Sequence, residues 1–221
     1  MQTIAEGGRT VLFVSHNIDS VRRLCQRAIL LNNGSIQYVG STDNAINFYL
    51  KSNTMFVTKR RWNDISKAPC DDIVRLTQVR VHTEDDKTVD NFDITKPIGI
   101  TMDYEVLQDG YVFTHECNLF NEQEINILNS HDVASEFRKV PHSKGYYSST
   151  VWIPSNFLSE GIVIVGVAIF NPDLFRIHIH ELNVIAFNVV DNITGESARG
   201  NYVGEFPGIV RPILKWNTIK K

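Results

Sequence analysis

One stretch decides the fold: Gly161-Ile162-Val163-Ile164-Val165-Gly166-Val167-Ala168-Ile169-Phe170. Apart from Gly166, its residues from 162 to 170 are apolar at both the odd and the even positions. A strand that is apolar on both faces is typical of the interior of a sheet, so we predict a central strand here. The stretch is also the longest apolar run, and its ten residues fall well short of the roughly 20 that a transmembrane helix needs.

Other segments of the chain alternate between apolar and polar side chains, as half-buried strands do. The alternation is clear over residues 98–106, 111–119 and 146–153, and residues 182–190 form a further apolar segment. Turn signals such as Asp109-Gly110 separate them, and no segment from 71 to 216 has the period of a helix. This pattern predicts a mainly β chain with an antiparallel β-sandwich.

The first fifty residues differ, because they are typical of an α/β domain. Residues 11–14 (VLFV) are all apolar, which predicts a strand buried on both faces of a parallel sheet. Residues 28–31 and 35–39 flank Asn33-Gly34, a strong hairpin signal. Fifty residues cannot cover both faces of a parallel sheet. We therefore expect this part to be the truncated tail of a larger α/β domain.

The composition sets the expected boundaries: an α/β tail over 1–52, a polar, basic linker over 53–70 and the sandwich over 71–221. Residues 71–221 carry 13 Lys and Arg against 21 Asp and Glu, whereas the preceding residues carry nine against four. An acidic domain repels phosphate backbones, so nucleic acid is not an expected partner. Neutral polyols remain open as ligands.

Cysteine and histidine patterns predict no metal site. The three cysteines are widely spaced, which gives neither a disulfide framework nor a zinc knuckle and favours a reducing cytosol. His178 and His180 fall on one face of a strand, but zinc would need further ligands that nothing in the sequence brings near them.

Residues 8–17 (GRTVLFVSHN) and 24–34 (LCQRAILLNNG) resemble the H-loop region and the following strand and turn of ABC transporter ATPases. The resemblance implies that His16 is the remnant of the switch histidine, which contacts the γ-phosphate of ATP. The chain contains no Gly-x-x-x-x-Gly-Lys-[Ser/Thr] segment, no signature motif and no Walker B carboxylate. We therefore expect no cofactor and no ATPase activity for this chain, although an intact parent would use ATP and Mg²⁺.

The remainder resembles the extra C-terminal domain on ATPase subunits of O-antigen polysaccharide exporters (Wzt type) and of teichoic-acid exporters. The residues that carry this resemblance lie at 92–94 (FDI), 98–110, 151–161 (VWIPSNFLSEG), 198–202 (ARGNY) and 207–216 (PGIVRPILKW). The resemblance implies an immunoglobulin-like sandwich that recognises the exported glycan and dimerises. It further implies a cytoplasmic protein, peripheral at the inner face of the membrane, with a transporter membrane subunit as partner.

Sugar sites commonly place an aromatic ring against a pyranose and hold its hydroxyls with polar side chains. In their strand, Trp152 and Tyr146 occupy the positions that alternate with the inward-facing apolar residues, and Glu116 and Asn118 occupy such positions in another strand. We predict these four residues as the binding site for a bacterial surface polysaccharide. The alternative is that Trp152 fills the core, because a single bulge reverses the faces of a strand.

The end of the chain predicts a homodimer. Residues 209–216 are largely apolar but contain Pro212, which cannot donate to a sheet and so favours an edge strand. An apolar edge is covered most simply by a second copy, with or without exchange of the strand. The function expected from the sequence is thus glycan recognition within an ABC exporter, and the alternative is a purely structural dimerisation module.

Overall fold

A computed structural model gives the fold of the chain. The chain forms two compact units, over residues 1–55 and 56–221. The structure describes residues 11–14, 21, 24–32, 34–42, 44–46, 57–123, 125–192, 194–204 and 206–220.

In the first unit, strands β1 (Arg27–Asn32) and β2 (Ser35–Ser41) form an antiparallel hairpin. Gly34 lies at its turn with φ +78°, a left-handed conformation that glycine adopts without steric cost. The hairpin expected from the sequence is therefore present.

The strand predicted at residues 11–14 is absent from the structure. These residues have no regular structure, and Leu12 and Val14 are exposed. A parallel strand takes its hydrogen bonds and its cover from neighbours on either side, and none of the described residues of the first unit pairs with this segment. His16 lies outside the described residues, so its predicted role as a switch histidine stays a prediction.

The described residues of the second unit form nine strands and two short 3₁₀ turns. Its strands are β3 (Lys59–Arg61), β4 (Val74–His82), β5 (Asn91–Asp93), β6 (Ile98–Val106), β7 (Thr114–Asn121), β8 (Asn126–His131), β9 (Gly145–Ile153), β10 (Gly161–Asn171) and β11 (Arg176–Val190). The turns are Ile65–Lys67 and Glu136–Lys139. No helix among the described residues is both long and apolar enough to span a membrane.

These strands form two sheets, with the orders β3-β4-β6-β9 and β5-β11-β10-β7-β8. Every pairing is antiparallel except that of β5 with β11. The predicted antiparallel β-sandwich is confirmed, and β10 has a neighbour on both sides, as its doubly apolar sequence indicates. Part of the stretch predicted as a linker, 53–70, is also strand: Lys59–Arg61 pairs with β4.

The core lies between the sheets and follows the period of two. In β6, Ile100, Met102 and Tyr104 face inward and are almost fully buried. Across the core, the ring of Tyr104 meets Phe113, which directly precedes β7, and His115 of β7, with centroids 6.4 and 5.1 Å apart.

The C-terminal segment joins the sandwich at one point and then leaves it. Val210 bridges Leu158, and the amide of Arg211 donates to the carbonyl of Phe157. Residues 212–220 then have no regular structure and are exposed. The edge strand predicted over 209–216 therefore does not form within a single chain.

Replacement of Ile185 by Ala should destabilise the sandwich by about 2–5 kcal/mol, because it leaves a cavity in the core. Ile185 is 2% exposed, whereas Ile177 on the same strand is 66% exposed. Ile177→Ala is therefore the matched control, and it should change the free energy of unfolding by less than about 0.5 kcal/mol. Urea unfolding of both variants tests this, and equal losses would show that the inward face of β11 is misassigned.

Candidate functional site

The outer face of the four-stranded sheet carries four rows of side chains, which we call the polar face. The rows arise because β6 pairs with β4 on one side and β9 on the other, in matching register. Outward residues of the three strands therefore line up across the sheet. The rows are His82–Gly99–Trp152, Arg80–Thr101–Thr150, Gln78–Asp103–Ser148 and Arg75–Glu105–Tyr146.

Trp152 is the large aromatic group of this face, and Gly99 makes room for it. Its side chain is 45% exposed and stands edge-to-face against His82, with ring centroids 5.2 Å apart. A Cβ on Gly99 would lie 2.5 Å from His82 Cε1 and 2.9 Å from Trp152 Cη2. Only glycine lets both rings rest on the backbone of β6. The alternative in which Trp152 fills the core is excluded.

A chain of hydrogen bonds leads from His82 along the second row. His82 Nδ1 lies 2.9 Å from the carbonyl of Thr83, which can only accept, so Nδ1 carries the proton. In the neutral ring Nε2 then accepts from the Thr101 hydroxyl at 2.8 Å. The Thr101 oxygen in turn accepts from Thr150 at 2.7 Å. This order leaves lone pairs of the Thr150 hydroxyl directed to solvent.

Asp103 is the centre of the third row. Gln78 Nε2 donates to its Oδ2 at 2.6 Å, and the Ser148 hydroxyl donates to its Oδ1. Each carboxylate oxygen has further acceptor capacity beyond these two contacts. The carboxylate is thus held in a fixed orientation on the surface and can still accept from a ligand hydroxyl.

The other charges of the four rows are paired. Arg75 Nη1 lies 2.9 Å from Glu105 Oε2, and Arg80 Nη1 lies 2.7 Å from Asp86 Oδ1. Asp103 is the one charged side chain of the four rows without an ionic partner among the described contacts. Lys59 and Arg61 of β3 lie opposite Arg80 and Gln78 and add two cations to the edge of this face. The face therefore carries charges of both signs and is rich in groups that donate and accept hydrogen bonds.

Tyr146 lies on the same strand as Trp152, in the last row, and its side chain is 79% exposed. Six residues of extended β9 separate the two rings, which is about 20 Å. Because β9 is an edge strand of its sheet, both rings stand at an open margin of the polar face. The structure thus places Trp152 and Tyr146 together on one surface, as predicted, at opposite ends of it.

Glu116 and Asn118 do not belong to this surface, and the prediction that joined them to Trp152 is wrong. Both lie on β7 in the five-stranded sheet and face outward from the other side of the sandwich. Glu116 accepts from Asn129 at 3.3 Å and lies 3.4 Å from His131. Asn118 is only 4% exposed. The core of the sandwich separates them from Trp152.

Sequence reasoning did not assign Thr101, Asp103, Gln78 or His82 to the site. The sequence did contain a signal for two of them, because Thr101 and Asp103 are polar residues that alternate with the apolar residues of a predicted strand. What the sequence lacked was the pairing of β6 with β9. Among the described residues no group of three or more His, Cys, Asp or Glu side chains is placed to hold a metal ion.

Buried histidines lie at one end of the core, beside the Tyr104 ring. His115 lies 3.6 Å from Asp132, and neither of its ring nitrogens has a hydrogen-bond partner among the described residues. Burial lowers the pKa of His115 to about 4, although Asp132 acts in the opposite direction. Burial also lowers the pKa of His142, whose ring packs on Phe113 and Tyr147.

Comparison with known proteins supports the fold. No family model matches the chain, and no curated protein matches it. Among solved structures, the chain is similar to the crystal structure of the C-terminal domain of Wzt, with 12% identity and a TM-score of 0.52. The match covers 73% of this chain and 89% of that one. At this identity the likeness shows a shared sandwich fold.

Two other matches have lower TM-scores. The CARDB domain of the PF1109 protein from Pyrococcus furiosus, in complex with di-metal ions, has 12% identity and a TM-score of 0.34 over 59% of this chain and 100% of that one. A Niemann-Pick type C2 protein from the Japanese carpenter ant has 7% identity and a TM-score of 0.36 over 56% and 98%. Neither likeness is close enough to carry an argument.

Acid should destabilise the sandwich through His115. Its pKa is about 4 in the folded chain and about 6.5 in the unfolded chain, so the unfolded state binds the proton more tightly. The contribution of the neutral ring is therefore complete above pH 6.5 and is lost as the pH falls toward 4. The free energy of unfolding should decrease by up to about 3 kcal/mol over this window.

The measurement is urea unfolding between pH 7 and pH 4. His115→Gln removes the titrating group and should flatten this dependence. His131→Gln, at an exposed position of the neighbouring strand, is the control and should retain it. A His115→Gln protein with the same pH dependence as the unmutated chain would assign the effect to other groups.

Proposed function

We propose that the sandwich is the glycan-recognition module of an ATP-binding subunit of an ABC transporter that exports O-antigen or a related surface polysaccharide. The observation that carries the proposal is the polar face, where half-exposed Trp152 rests on Gly99 beside ordered hydroxyl and carboxylate groups. The fold shared with the C-terminal domain of Wzt supports the assignment to such a transporter.

The chemistry of the polar face suits a neutral or lightly charged glycan. A sugar ring can stack its C–H face on Trp152, while its hydroxyls donate to Asp103 and exchange hydrogen bonds with Thr150 and Ser148. Arg75 and Arg80 are held by Glu105 and Asp86. Among the described contacts this leaves Lys59 and Arg61, at the β3 edge of the same face, as the cations available to an acidic group on the glycan. Tyr146 at the far end gives a second ring, so an extended oligosaccharide can contact both ends.

We expect the binding to be weak. Sugar hydroxyls are well hydrated, so each hydrogen bond gained replaces one with water and contributes about 1 kcal/mol. A few such bonds and one stacked ring correspond to a dissociation constant of roughly micromolar to millimolar. Weak binding also suits export, because the polymer must be released.

The chain lacks a phosphate-binding loop, so ATP and Mg²⁺ belong to an intact parent and not to a site on this sandwich. The protein acts on the cytoplasmic side, held peripherally at the inner face of the membrane by the transporter membrane subunit. Nucleic acid is not a partner, because the sandwich is acidic.

Trp152→Ala should weaken binding of the host's own surface polysaccharide by about 1–3 kcal/mol, measured by isothermal titration calorimetry, because it removes the stacking ring. Glu116→Gln is the matched control on the opposite face and should leave the affinity unchanged. Thermal unfolding of both variants shows whether the fold is intact. Unchanged affinity of the Trp152→Ala protein would remove Trp152 from the site, and no binding by the unmutated chain to any host glycan would remove the function.

A second candidate role, dimerisation, rests on the C-terminal segment. Its residues 212–220 present large apolar side chains to solvent, namely Ile213, Leu214, Trp216 and Ile219. An exposed, extended apolar segment is stabilised when a second copy covers it. We propose that the chain forms a homodimer through this segment, a role compatible with glycan binding.

A clamp fixes the direction in which this segment leaves the sandwich. The guanidinium groups of Arg199 and Arg211 lie 5.7 and 5.3 Å from the ring centre of Phe206. Arg199 Nη2 also lies 2.8 Å from Glu160 Oε1 and its Nε lies 3.5 Å from Asp191 Oδ2. Because these buried contacts anchor residues 206–211, the segment that follows starts from a defined position.

The double variant Leu214→Ser, Trp216→Ser should be monomeric at concentrations where the unmutated chain is a dimer, because it removes the apolar surface to be buried. Sedimentation velocity at tens of micromolar tests this. Val203→Ser, at another exposed apolar position, is the control and should leave the dimer intact. A monomeric unmutated chain would contradict the proposal, while retained glycan binding by the double variant would separate the two roles.

A further inference from the structure

The end of the β10–β11 hairpin, residues 171–177, consists of the turn and the strand ends beside it and carries three large apolar side chains in solvent. Leu174, Phe175 and Ile177 are all exposed, and Phe175 is 93% exposed. We call this end the hairpin tip. Three bulky apolar groups on one short segment are unusual on a monomer surface, where such side chains normally occur singly.

The hairpin tip is firmly held and not a loose loop. Asn171 is buried, and its Oδ1 accepts from the amides of Asp173 and Leu174, both at 3.0 Å. Its Nδ2 donates to the carbonyl of Val112 at 3.1 Å. Both ends of the Asn171 amide are thus used to fix the turn, and the apolar side chains are presented in a defined geometry.

The backbone at Phe175 is held against its preference. Its φ is +50°, in the left-handed region. A β-carbon makes this region costly, and Gly, Asn and Asp are the residues that adopt it readily. An exposed phenylalanine at this position adds nothing to the core and occupies a site that asparagine would fill with less strain. The side chain therefore has a use outside the fold of the monomer.

The charges around the hairpin tip indicate what it meets. Arg176 is neutralised by two carboxylates, with Nη2 lying 2.9 Å from Asp71 Oδ2 and 2.7 Å from Asp72 Oδ1. His178 also contacts Asp71, at 2.8 Å. Asp173 in the turn adds a third carboxylate to the single arginine, so the apolar side chains of the tip stand beside an excess of negative charge. Anionic lipid headgroups would be repelled by this arrangement.

A second copy of the sandwich is a poor source of a basic rim, because residues 71–221 carry 13 Lys and Arg against 21 Asp and Glu; the apolar contact proposed for the C-terminal segment needs no such rim. The β8–β9 connection also presents apolar side chains to solvent. It leaves the sandwich at the same end, since Phe170 pairs with Thr114 and His131 pairs with Glu116 on β7. Its exposed apolar side chains are Val133, Phe137 and Val140.

We propose that the hairpin tip is a docking element for a second, different protein, which receives Leu174 and Phe175 in an apolar pocket with a basic rim. Aromatic side chains that enter a pocket commonly dominate such interfaces, and the paired charges around them set orientation. The proposal does not depend on glycan binding, because the tip lies outside the four rows of the polar face.

The test uses a photoreactive amino acid at position 174 of the full chain, in permeabilised cells of its host. Irradiation should give one discrete protein adduct, and its yield should fall with added salt because the rim contacts are ionic. Excess unlabelled chain should compete for the adduct at least tenfold better than the Phe175→Asn chain. A photoreactive residue at Val203 is the position control and should not give this adduct.

Phe175→Asn keeps the test independent of folding. Asparagine suits the left-handed backbone, so the melting temperature of this variant should be unchanged or higher while its competition is lost. Adducts with lipid, adducts with a second copy of this chain, or no adduct at all would overturn the proposal. Equal competition by the Phe175→Asn chain, or the same adduct from position 203, would overturn it as well.

Discussion

Burial of every second side chain of each strand between the two sheets is the constraint on which the rest of this structure depends. Once Ile100, Met102 and Tyr104 of β6 face the core, the intervening residues must lie on the outer face of the sheet, where neighbouring side chains cover Thr101 to 3% exposure. A slip of one residue would turn Thr101 and Asp103 into the core and move the apolar set to the outer face, so the register is strongly specified. The rows of the polar face are therefore a consequence of core packing, and the hydrogen bonds across them add to a register that burial has already fixed.

The same sandwich offers three surfaces that do different things. The polar face is rich in hydroxyl groups and carries charges of both signs, which suits a weakly held sugar polymer. The C-terminal segment is apolar and extended, which suits a partner that can cover it along its length. The hairpin tip is apolar and stands beside an excess of negative charge, which suits a pocket. Because they lie on different parts of the sandwich, each can be changed by mutation without altering the others.

Two arginines in the segment that resembles polysaccharide exporters prove to have a structural role. Arg199 and Arg211 hold the ring of Phe206 between them. Their side chains are almost fully buried, and Glu160 lies 2.8 and 3.4 Å from them. Buried guanidinium groups need partners, because an unpaired charge in the interior is strongly destabilising. This requirement explains why the motif residues form a packed cluster at the start of the C-terminal segment and lie outside the polar face.

The sequence alone determined the class of fold and the inward and outward sets of most strands, because side-chain alternation is a local property of the chain. It correctly placed β10 in the interior of its sheet and Trp152 on an outward face. Tertiary structure decided which strands are neighbours. β7 follows β6 in the chain but joins the other sheet, so Glu116 and Asn118 lie on the far side of the core from Trp152. The true neighbours of Trp152 come from β6 and β4, which lie far from it in sequence. Likewise, residues 11–14 have the composition of a buried strand, but a strand also needs a partner, and that is not encoded in four residues.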